Sequence, residues 1–292
     1  MKHLVSIIMP VYNGAQYIGE SIRECILQSY ENFELLIIDN GSIDETAEIC
    51  KTFAGDARIK YIYTKRRGRS VARNIGLDLA QGEFIQFLDY DDFPGNSKIA
   101  KQISFLDENK NISGVYGDTL YFRNSTASII HTLMQKKIRY TTRDFILSNI
   151  PINAFVFRPS SVRFDENMEH CEDWDFWIQM SMNGSRFEYT PAAESYVRIH
   201  DSNTSKDKEM MLVKELYMFD KLRLKLQNNR PLLHVINYRS AKINIALKRY
   251  RNSFLSIRSI PLWRMDYYLK VLLFGVFLFI NEKIFHFNSI YD

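Results

Sequence analysis

Cysteine is scarce in this chain. The 292 residues hold three, Cys25, Cys50 and Cys171, far apart and without a CxxC pair. That excludes a disulfide framework and a structural zinc site, and it points to a reducing compartment. A large excess of one charge is missing too. A net charge of +4 is too small to argue for a nucleic-acid partner. The chain has no GxGxxG, no GxxxxGK[ST], no HExxH and no GxSxG, so dinucleotide oxidoreductases, P-loop NTPases, zincins and serine hydrolases lose their usual signatures. There is no internal repeat and no low-complexity linker. Met1-Lys2-His3-Leu4-Val5 runs straight into an apolar strand, with no signal-peptide pattern. The apolar run from Val271 to Ile280 is ten residues long, short of the roughly 18 a membrane span requires.

What is present is a globular composition. Apolar residues at 46% and charged residues at 25% allow one large domain, or one domain with an appendage, around a sizeable core. Aromatics at 14% lean toward a sugar, nucleotide or membrane surface. The first hundred residues alternate strand and helix. Val5 to Met9 reads as a strand stopped by Pro10. A helix follows from about Gln16 to Gln28, with Ile18, Ile22 and Ile26 on one face. Glu34 to Ile38 is a second strand, and Asp44 is placed to cap a helix running to about Phe53. Ile59 to Tyr63 is a third strand, Ser70 to Ala80 a helix, and Phe84 to Leu88 a fourth strand. This alternation predicts an α/β fold with a mostly parallel central sheet flanked by helices. Ligands of such sheets bind beyond the carboxyl ends of the strands. Tyr12-Asn13, Asp39-Asn40 and Asp89-Tyr90-Asp91-Asp92 follow three of those ends and should gather at one edge.

The last of these clusters is the most telling. A strand that empties three carboxylates into one turn raises their pKa values unless a cation sits among them. Oxygen-rich sites of this kind suit Mg²⁺ or Mn²⁺, which can grip a diphosphate. On those four residues alone, an acidic surface turn explains the pattern as well.

From about Leu4 to Ser205, roughly two thirds of the chain, the sequence resembles the family-2 glycosyltransferases of the GT-A fold. Ser6-Ile7-Ile8-Met9-Pro10-Val11-Tyr12-Asn13 is similar to the family's opening strand and nucleotide loop, with Tyr12 stacking on the base and Pro10 fixing the turn. Asp39-Asn40-Gly41-Ser42-Ile43-Asp44 resembles Asp-Asp-Gly-Ser-x-Asp; Asp39 would accept the uracil imide N–H, and Asn40 departs from the pattern. Gly68 to Gly76 resembles Gly-x-x-x-Ala-Arg-Asn-x-Gly, with Arg73 directed toward the base and the acidic edge. Lys65, Arg66, Arg67 and Arg69 just before it read as a solvated charge run. Asp89-Tyr90-Asp91 matches the Asp-x-Asp signature: Asp89 for the ribose, Asp91 for the metal, Asp92 assisting. Phe164-Asp165-Glu166 and Glu172-Asp173-Trp174 resemble the acceptor segment. This implies Asp173 as the base that takes the acceptor hydroxyl proton, Glu172 as the second choice, and Trp174 along the acceptor groove. Trp177 reads as core packing. The family often has Arg where Gln179 stands, so no role carries over there. Tyr196 to Ser205 resembles the family's closing motif with a one-residue shift near Val197. Arg198-x-His200 is intact, and His200 would be a second metal or diphosphate ligand. His3, His131, His234 and His286 have no such support.

The resemblance implies an inverting transfer of a hexose from a UDP-sugar to a saccharide hydroxyl, assisted by Mn²⁺ or Mg²⁺. A polyprenyl-diphosphate-linked glycan of O-antigen, capsule or exopolysaccharide assembly is the expected acceptor. Two rivals remain: a sugar-nucleotide nucleotidyltransferase, which the Glu172-Asp173 pair and Arg198-x-His200 disfavour, and a nucleotide-sugar binding module with a dead site. The expected division is a catalytic domain over 1–206, with its nucleotide-sugar half at 1–96 and its acceptor half at 97–206, and a helical region over 207–292. That last region carries Lys242, Lys248, Arg249, Arg251, Arg258 and Arg264 ahead of the apolar run, with Trp263, Tyr267 and Tyr268 alongside. It reads either as a core helix or as an interfacial segment on anionic headgroups. The interfacial reading places the protein in the cytoplasm, peripheral on the inner face of the cell membrane.

Overall fold

The computed structural model describes residues 3–123, 125–134, 137–200, 207–261 and 264–288, with side chains of the last helix to residue 276. The expected Ser202–Ser205 end of the closing motif and Trp263 lie outside the described residues, as do the side chains of residues 277–280. The chain divides into two compact units, Met1–Phe145 with Asn149–Asn203, and Ile146–Ser148 with Thr204–Asp292.

In the first unit, strand β1 (Val5–Val11) leads to helix α1 (Ile18–Ile26), β2 (Phe33–Asp39), α2 (Thr46–Lys51), β3 (Ile59–Tyr63), α3 (Arg69–Leu79) and β4 (Phe84–Phe87). Then come β5 (Phe93–Pro94), α4 (Lys98–Glu108), β6 (Gly114–Tyr116), β7 (Thr119–Phe122), β8 (Ile129–Leu133), β9 (Arg139–Tyr140) and α5 (Thr142–Leu147), whose last two residues are assigned to the second unit. A 3-10 turn (Ile152–Ala154), β10 (Phe155–Phe157), α6 (Glu172–Met182), β11 (Phe187–Tyr189) and β12 (Ser195–Arg198) complete it. The large sheet has the order β3-β2-β1-β4-β10-β6-β11-β9, and a smaller sheet runs β5-β12-β7-β8.

β1 and β2 are buried at every position. Continuous apolar runs are what a parallel strand covered on both faces requires. The parallel pairs are β1–β2, β2–β3, β1–β4 and β6–β11, whereas β10 runs antiparallel to both β4 and β6, and β9 antiparallel to β11. Parallel pairing thus dominates the first half, and the sheet turns mixed where the chain leaves the strand–helix alternation.

Pro10 does not stop β1. It pairs in register with Ile38, and Val11 pairs with Asp39. The β4 ladder ends at Ile8 and Phe87, and the Pro10 nitrogen faces that unpaired side, where no N–H is needed. Asp44 sits one position before the Glu45 N-cap of α2, yet its Oδ1 still accepts the Thr46 N–H at 3.1 Å. Helix α3 lies close on β1: a Cβ on Gly76 would come within 2.3 Å of Ile8 Cγ2. The main core joins β1, β2 and β4 to α1 and α4 through Ile7, Met9, Ile22, Leu35, Ile99 and Leu106.

The second unit is helical: α7 (Lys208–Lys225), α8 (Arg230–Ala246), α9 (Tyr250–Arg258) and α10 (Met265–Asn288). Asp207 and Asn229 cap α7 and α8 through side-chain acceptance of the Met210 and Leu232 N–H groups. Ala241, Ile257, Ile260, Tyr267 and Val271 form its core.

Candidate active site

Loops after β1 and β2 are stitched together. Asn13 N–H donates to Ser42 Oγ at 2.9 Å and Ile43 N–H donates to Asn13 Oδ1 at 2.9 Å. Gly14 N–H donates to Thr46 Oγ1 at 2.8 Å, and Ala15 N–H to Asp44 Oδ2 at 3.0 Å. Asn13 takes the left-handed conformation, with φ of 50°, which Asn tolerates better than most residues. Tyr12 is exposed at this edge, with the Arg67 guanidinium 5.4 Å from its ring centroid. Asp39 is buried. Its Oδ1 accepts the N–H groups of Gly41 at 3.1 Å and Ser42 at 2.8 Å, and its Oδ2 accepts the Tyr61 hydroxyl at 2.6 Å. Asn40 beside it is buried with its Oδ1 unpaired.

The carboxylates of the acidic turn after β4 take different partners. Arg73, 1% exposed, donates from Nη2 to Asp89 Oδ1 and from Nη1 to Glu172 Oε1, each at 2.8 Å. Arg69 Nη1 reaches the same Glu172 oxygen at 3.2 Å. One guanidinium therefore joins the turn after β4 to the N-terminus of α6. Burial acts to raise the Asp89 pKa, but Arg73 and Arg69 outweigh it and hold its carboxyl below the ordinary value. Asp91 Oδ2 meets His200 Nε2 at 2.7 Å. Burial and the neighbouring Asp89 charge raise the Asp91 carboxyl. Asp92 turns inward instead of toward an ion: its Oδ1 accepts the Arg198 N–H at 2.8 Å and its Oδ2 accepts Asn153 Nδ2 at 3.1 Å. Asp92 is the expected assisting metal ligand; here both its carboxylate oxygens hold β12 and the 3-10 turn. Burial, then the charges of Asp91 and Asp89, push its carboxyl well up.

Arg198 ties the parts together. Its Nη2 pairs with Glu20 Oε2 at 2.6 Å, its Nε donates to the Asp91 carbonyl at 3.1 Å, and its guanidinium lies 4.9 Å over the Tyr17 ring. The Tyr17 ring lies 4.8 Å from that of His200. These contacts carry His200, from beyond β12, to the carboxyl end of β4.

At the start of α6, Cys171 occupies the left-handed region with φ of 58°, a conformation that costs about 1–3 kcal/mol and that gathers at functional sites. Glu172 and Asp173 follow in the first helical turn. Glu172 is 3% exposed and held by two arginines. Asp173 is half-buried and accepts Asn149 Nδ2 at 3.0 Å. Burial and the adjacent Glu172 charge raise its pKa, which moves it toward the value a general base needs. Trp174 is buried, and its indole N–H donates to the Phe145 carbonyl. That hydrogen bond ties α6 to α5. Trp177 is fully buried, stacked 3.9 Å from Phe155.

The basic loop before α3 is exposed at Lys65, Arg66, Arg67 and Arg69, as a solvated run is, and its arginines also make contacts. Arg66 pairs with Glu166 at 2.6 Å, Arg67 covers Tyr12, and Arg69 binds Glu172. Their partners lie 100 or so residues away or on another strand's loop, so local sequence gives no signal of them. Asn149, Asn153 and Glu20, which hold Asp173, Asp92 and Arg198, were equally unmarked. Two donors fit a divalent ion here: Asp91 supplies a carboxylate oxygen and His200 a ring nitrogen. No cluster of three or more His, Cys, Asp or Glu side chains forms among the described residues.

The fold aligns with solved structures of GT-A glycosyltransferases. S. aureus TarS 1-349 in complex with UDP-GlcNAc gives a TM-score of 0.63 at 18% identity, over 93% of this chain and 80% of that one. The mannosyltransferase PcManGT from Pyrobaculum calidifontis, in complex with GDP-Man and Mn²⁺, gives 0.61 at 16% identity, over 88% and 74%. The chain belongs to glycosyl transferase family 2, whose profile matches residues 6–168. An uncharacterized glycosyltransferase of Haemophilus influenzae is 35% identical over 212 residues, 70% of this chain and 83% of that protein. The minor teichoic acid biosynthesis protein GgaB of Bacillus subtilis is 28% identical over 211 residues, 68% of this chain and 23% of that protein.

Proposed function

We propose that this glycosyltransferase moves a hexose from a UDP-sugar to a saccharide hydroxyl with inversion at the anomeric carbon. The observation that carries the reading is the 2.7 Å meeting of Asp91 with His200 beside the Asp89–Arg73–Glu172 ion network. It brings the residues suited to a diphosphate and its ion to the same end of the sheet as the α6 carboxylates. Tyr12 and Pro10 bound the base, Asp39 meets it through the one lone pair left on Oδ2, and Asp89 and Arg73 set the ribose. Asp91 and His200 would hold Mn²⁺ or Mg²⁺, which would supply charge neutralisation to the departing diphosphate. Asp173 takes the proton from the acceptor hydroxyl as that oxygen attacks. Glu172, committed to two arginines, keeps Asp173 raised and oriented.

The solved neighbours support a nucleotide-sugar donor. TarS is solved with UDP-GlcNAc, PcManGT with GDP-Man and Mn²⁺, and GgaB is named for teichoic acid biosynthesis. A polyprenyl-diphosphate-linked glycan in surface-polysaccharide assembly, O-antigen among them, fits such company. The membrane reading rests on the second unit. α10 buries Tyr267 and Val271 but exposes Leu269, Leu272, Leu273 and Val276 on its other side, and α9 exposes Phe254 and Leu255. Arg251, Arg258 and Lys270 are exposed among them. Among the described residues no helix is long and apolar enough to cross a membrane. We read this face as lying in an anionic membrane interface.

The test is nucleotide release from a panel of UDP- and GDP-sugars with a lipid-diphosphate GlcNAc acceptor. UDP release that needs both acceptor and Mn²⁺ or Mg²⁺ is expected. Pyrophosphate release from UTP and a sugar phosphate would instead mark a nucleotidyltransferase.

A further inference from the structure

Tyr17 and Glu20 lie three residues apart at the start of α1, so they share one side of its first turn. Neither belongs to the buried face, which Ile18, Ile22 and Cys25 supply; Tyr17 is half-buried and Glu20 exposed. Tyr17 is the N-cap residue, yet its side chain makes no capping hydrogen bond. Ser, Thr, Asp or Asn would serve a cap better, so the ring stands there for other contacts.

Those contacts reach the acidic turn and the chain beyond β12 together. The Gly14 carbonyl accepts the Tyr17 and Ile18 N–H groups, each at 3.0 Å. A Cβ on Gly14 would come within 2.8 Å of the ring of Tyr90, the middle residue of Asp89-Tyr90-Asp91. Three residues on, the Tyr17 ring lies 4.8 Å from the His200 imidazole at a 33° tilt. That imidazole meets Asp91 through Nε2 at 2.7 Å. Among the described residues, the backbone pairing of this segment with β7 closes where the Ile199 N–H donates to the Phe122 carbonyl at 2.8 Å. His200 follows, and side chains are left to aim its ring. Arg198, two residues earlier, points to the same side of the strand. Its buried guanidinium pairs with Glu20 at 2.6 Å and lies 4.9 Å from the Tyr17 ring, 4.6 Å from Phe122 and 5.9 Å from Phe93. Tyr17 therefore packs on both named residues of Arg198-x-His200, and Glu20 holds one of them.

We propose that Tyr17 and Glu20 are positioning residues of the ion site. Tyr17 fixes the plane of the His200 imidazole so that Nε2 stays on Asp91, and Glu20 fixes the guanidinium packed against the same ring. This rests on the reading of Asp91 and His200 as ligands of the divalent ion. Residues behind a metal ligand set its direction, and with it the affinity of the site. Ion affinity is then partly a property of α1, the helix that the Tyr12-Asn13 loop leads into.

The experiment is calorimetry of UDP binding to the full chain, with Mn²⁺ and again in EDTA. Tyr17→Leu removes the ring and keeps an apolar side chain. It should weaken UDP binding in Mn²⁺ about tenfold, on the scale of one lost aromatic contact, and by less than about twofold in EDTA. Tyr17→Phe keeps the ring and should match wild type. Glu20→Gln alters an exposed residue, so it probes the same site with little demand on folding. It should weaken the Mn²⁺-dependent binding about threefold, the scale of a half-exposed ion pair. A loss absent from both Tyr17→Leu and Glu20→Gln, or one equal in Mn²⁺ and in EDTA, overturns the proposal. A wild-type chain that binds UDP equally in Mn²⁺ and in EDTA overturns the reading of the ion ligands instead. Nitrogen-15 NMR of the histidine rings then decides the positioning without any ion, with the His200 signal assigned by its loss in His200→Gln. An Nε2 signal that moves to the free-imidazole position in Tyr17→Leu supports the proposal, and one that keeps its wild-type shift overturns it.

Discussion

Glu172 and Asp173 are adjacent carboxylates with opposite fates. Glu172 is locked between two guanidiniums, and Asp173 receives one neutral amide hydrogen bond. Its pKa is raised by burial and by Glu172, so the acid limb of kcat/KM should lie above the ordinary carboxylate value of about 4. Activity falls as pH drops through that raised value, because the base must be ionised. Asp173→Asn should lower kcat by roughly 10²–10⁴-fold and leave UDP-sugar affinity nearly unchanged. The same variant bears on stability. A folded-state pKa above the unfolded one means that ionisation opposes folding, a penalty absent below the unfolded pKa and complete above the folded one. At neutral pH Asp173→Asn should therefore melt no lower than wild type. A variant that loses donor binding while keeping its saturated rate would shift the base assignment to Glu172. For the ion, Asp91→Ala should abolish turnover and Mn²⁺-dependent UDP binding in calorimetry, and EDTA should silence the wild type. Full activity in EDTA would refute that role.

Elements meet through single side chains with little tolerance. Helix α3 approaches β1 over Gly76, where a methyl group would overlap Ile8. Gly76→Ala should destabilise the first unit by about 1–3 kcal/mol, read by denaturant unfolding. Arg73, on the same helix, is a different case. It is buried between Asp89 and Glu172, and removing one member of a buried ion pair typically costs about 3–5 kcal/mol, because the partner charge is left uncompensated. Arg73→Ala should show that loss together with weaker nucleotide binding. An Arg73→Ala protein of wild-type stability would mean that the network is solvent-relaxed.

At the scale of the whole molecule, the apolar run expected from Val271 is neither wholly core nor apolar on all sides in use. One side packs Tyr267 and Val271 into the helical unit, and the other leaves Leu269, Leu272, Leu273 and Val276 exposed. Truncation before α10 would strip that core, so point variants are the cleaner probe. Full-length protein should float with anionic vesicles more than with neutral ones, and less at high salt, at about 1 kcal/mol per basic residue near the surface. Leu272→Ser with Leu273→Ser should reduce flotation without changing UDP-sugar binding. Protein that never floats with vesicles would refute the interfacial reading.

The sequence alone determined the strand–helix alternation through β4, because continuous buried strands and amphipathic helices are written in local periodicity. It also marked Asp89, Asp91, Arg73, Asp173 and His200, since each sits in a short motif whose residue types suit one chemistry. Tertiary structure alone decided how they combine. His200 reaches Asp91 across more than a hundred residues, Asp92 turns inward to the Arg198 N–H, and Trp174 spends its indole N–H on Phe145. Arg66, Arg67 and Arg69 look like one charge run in sequence, yet each meets a different group in space. Asn149 and Asn153 carry no motif at all. The physical reason is the same for each: a long-range contact depends on where strand ends and loops converge, and no local pattern of residues encodes that convergence.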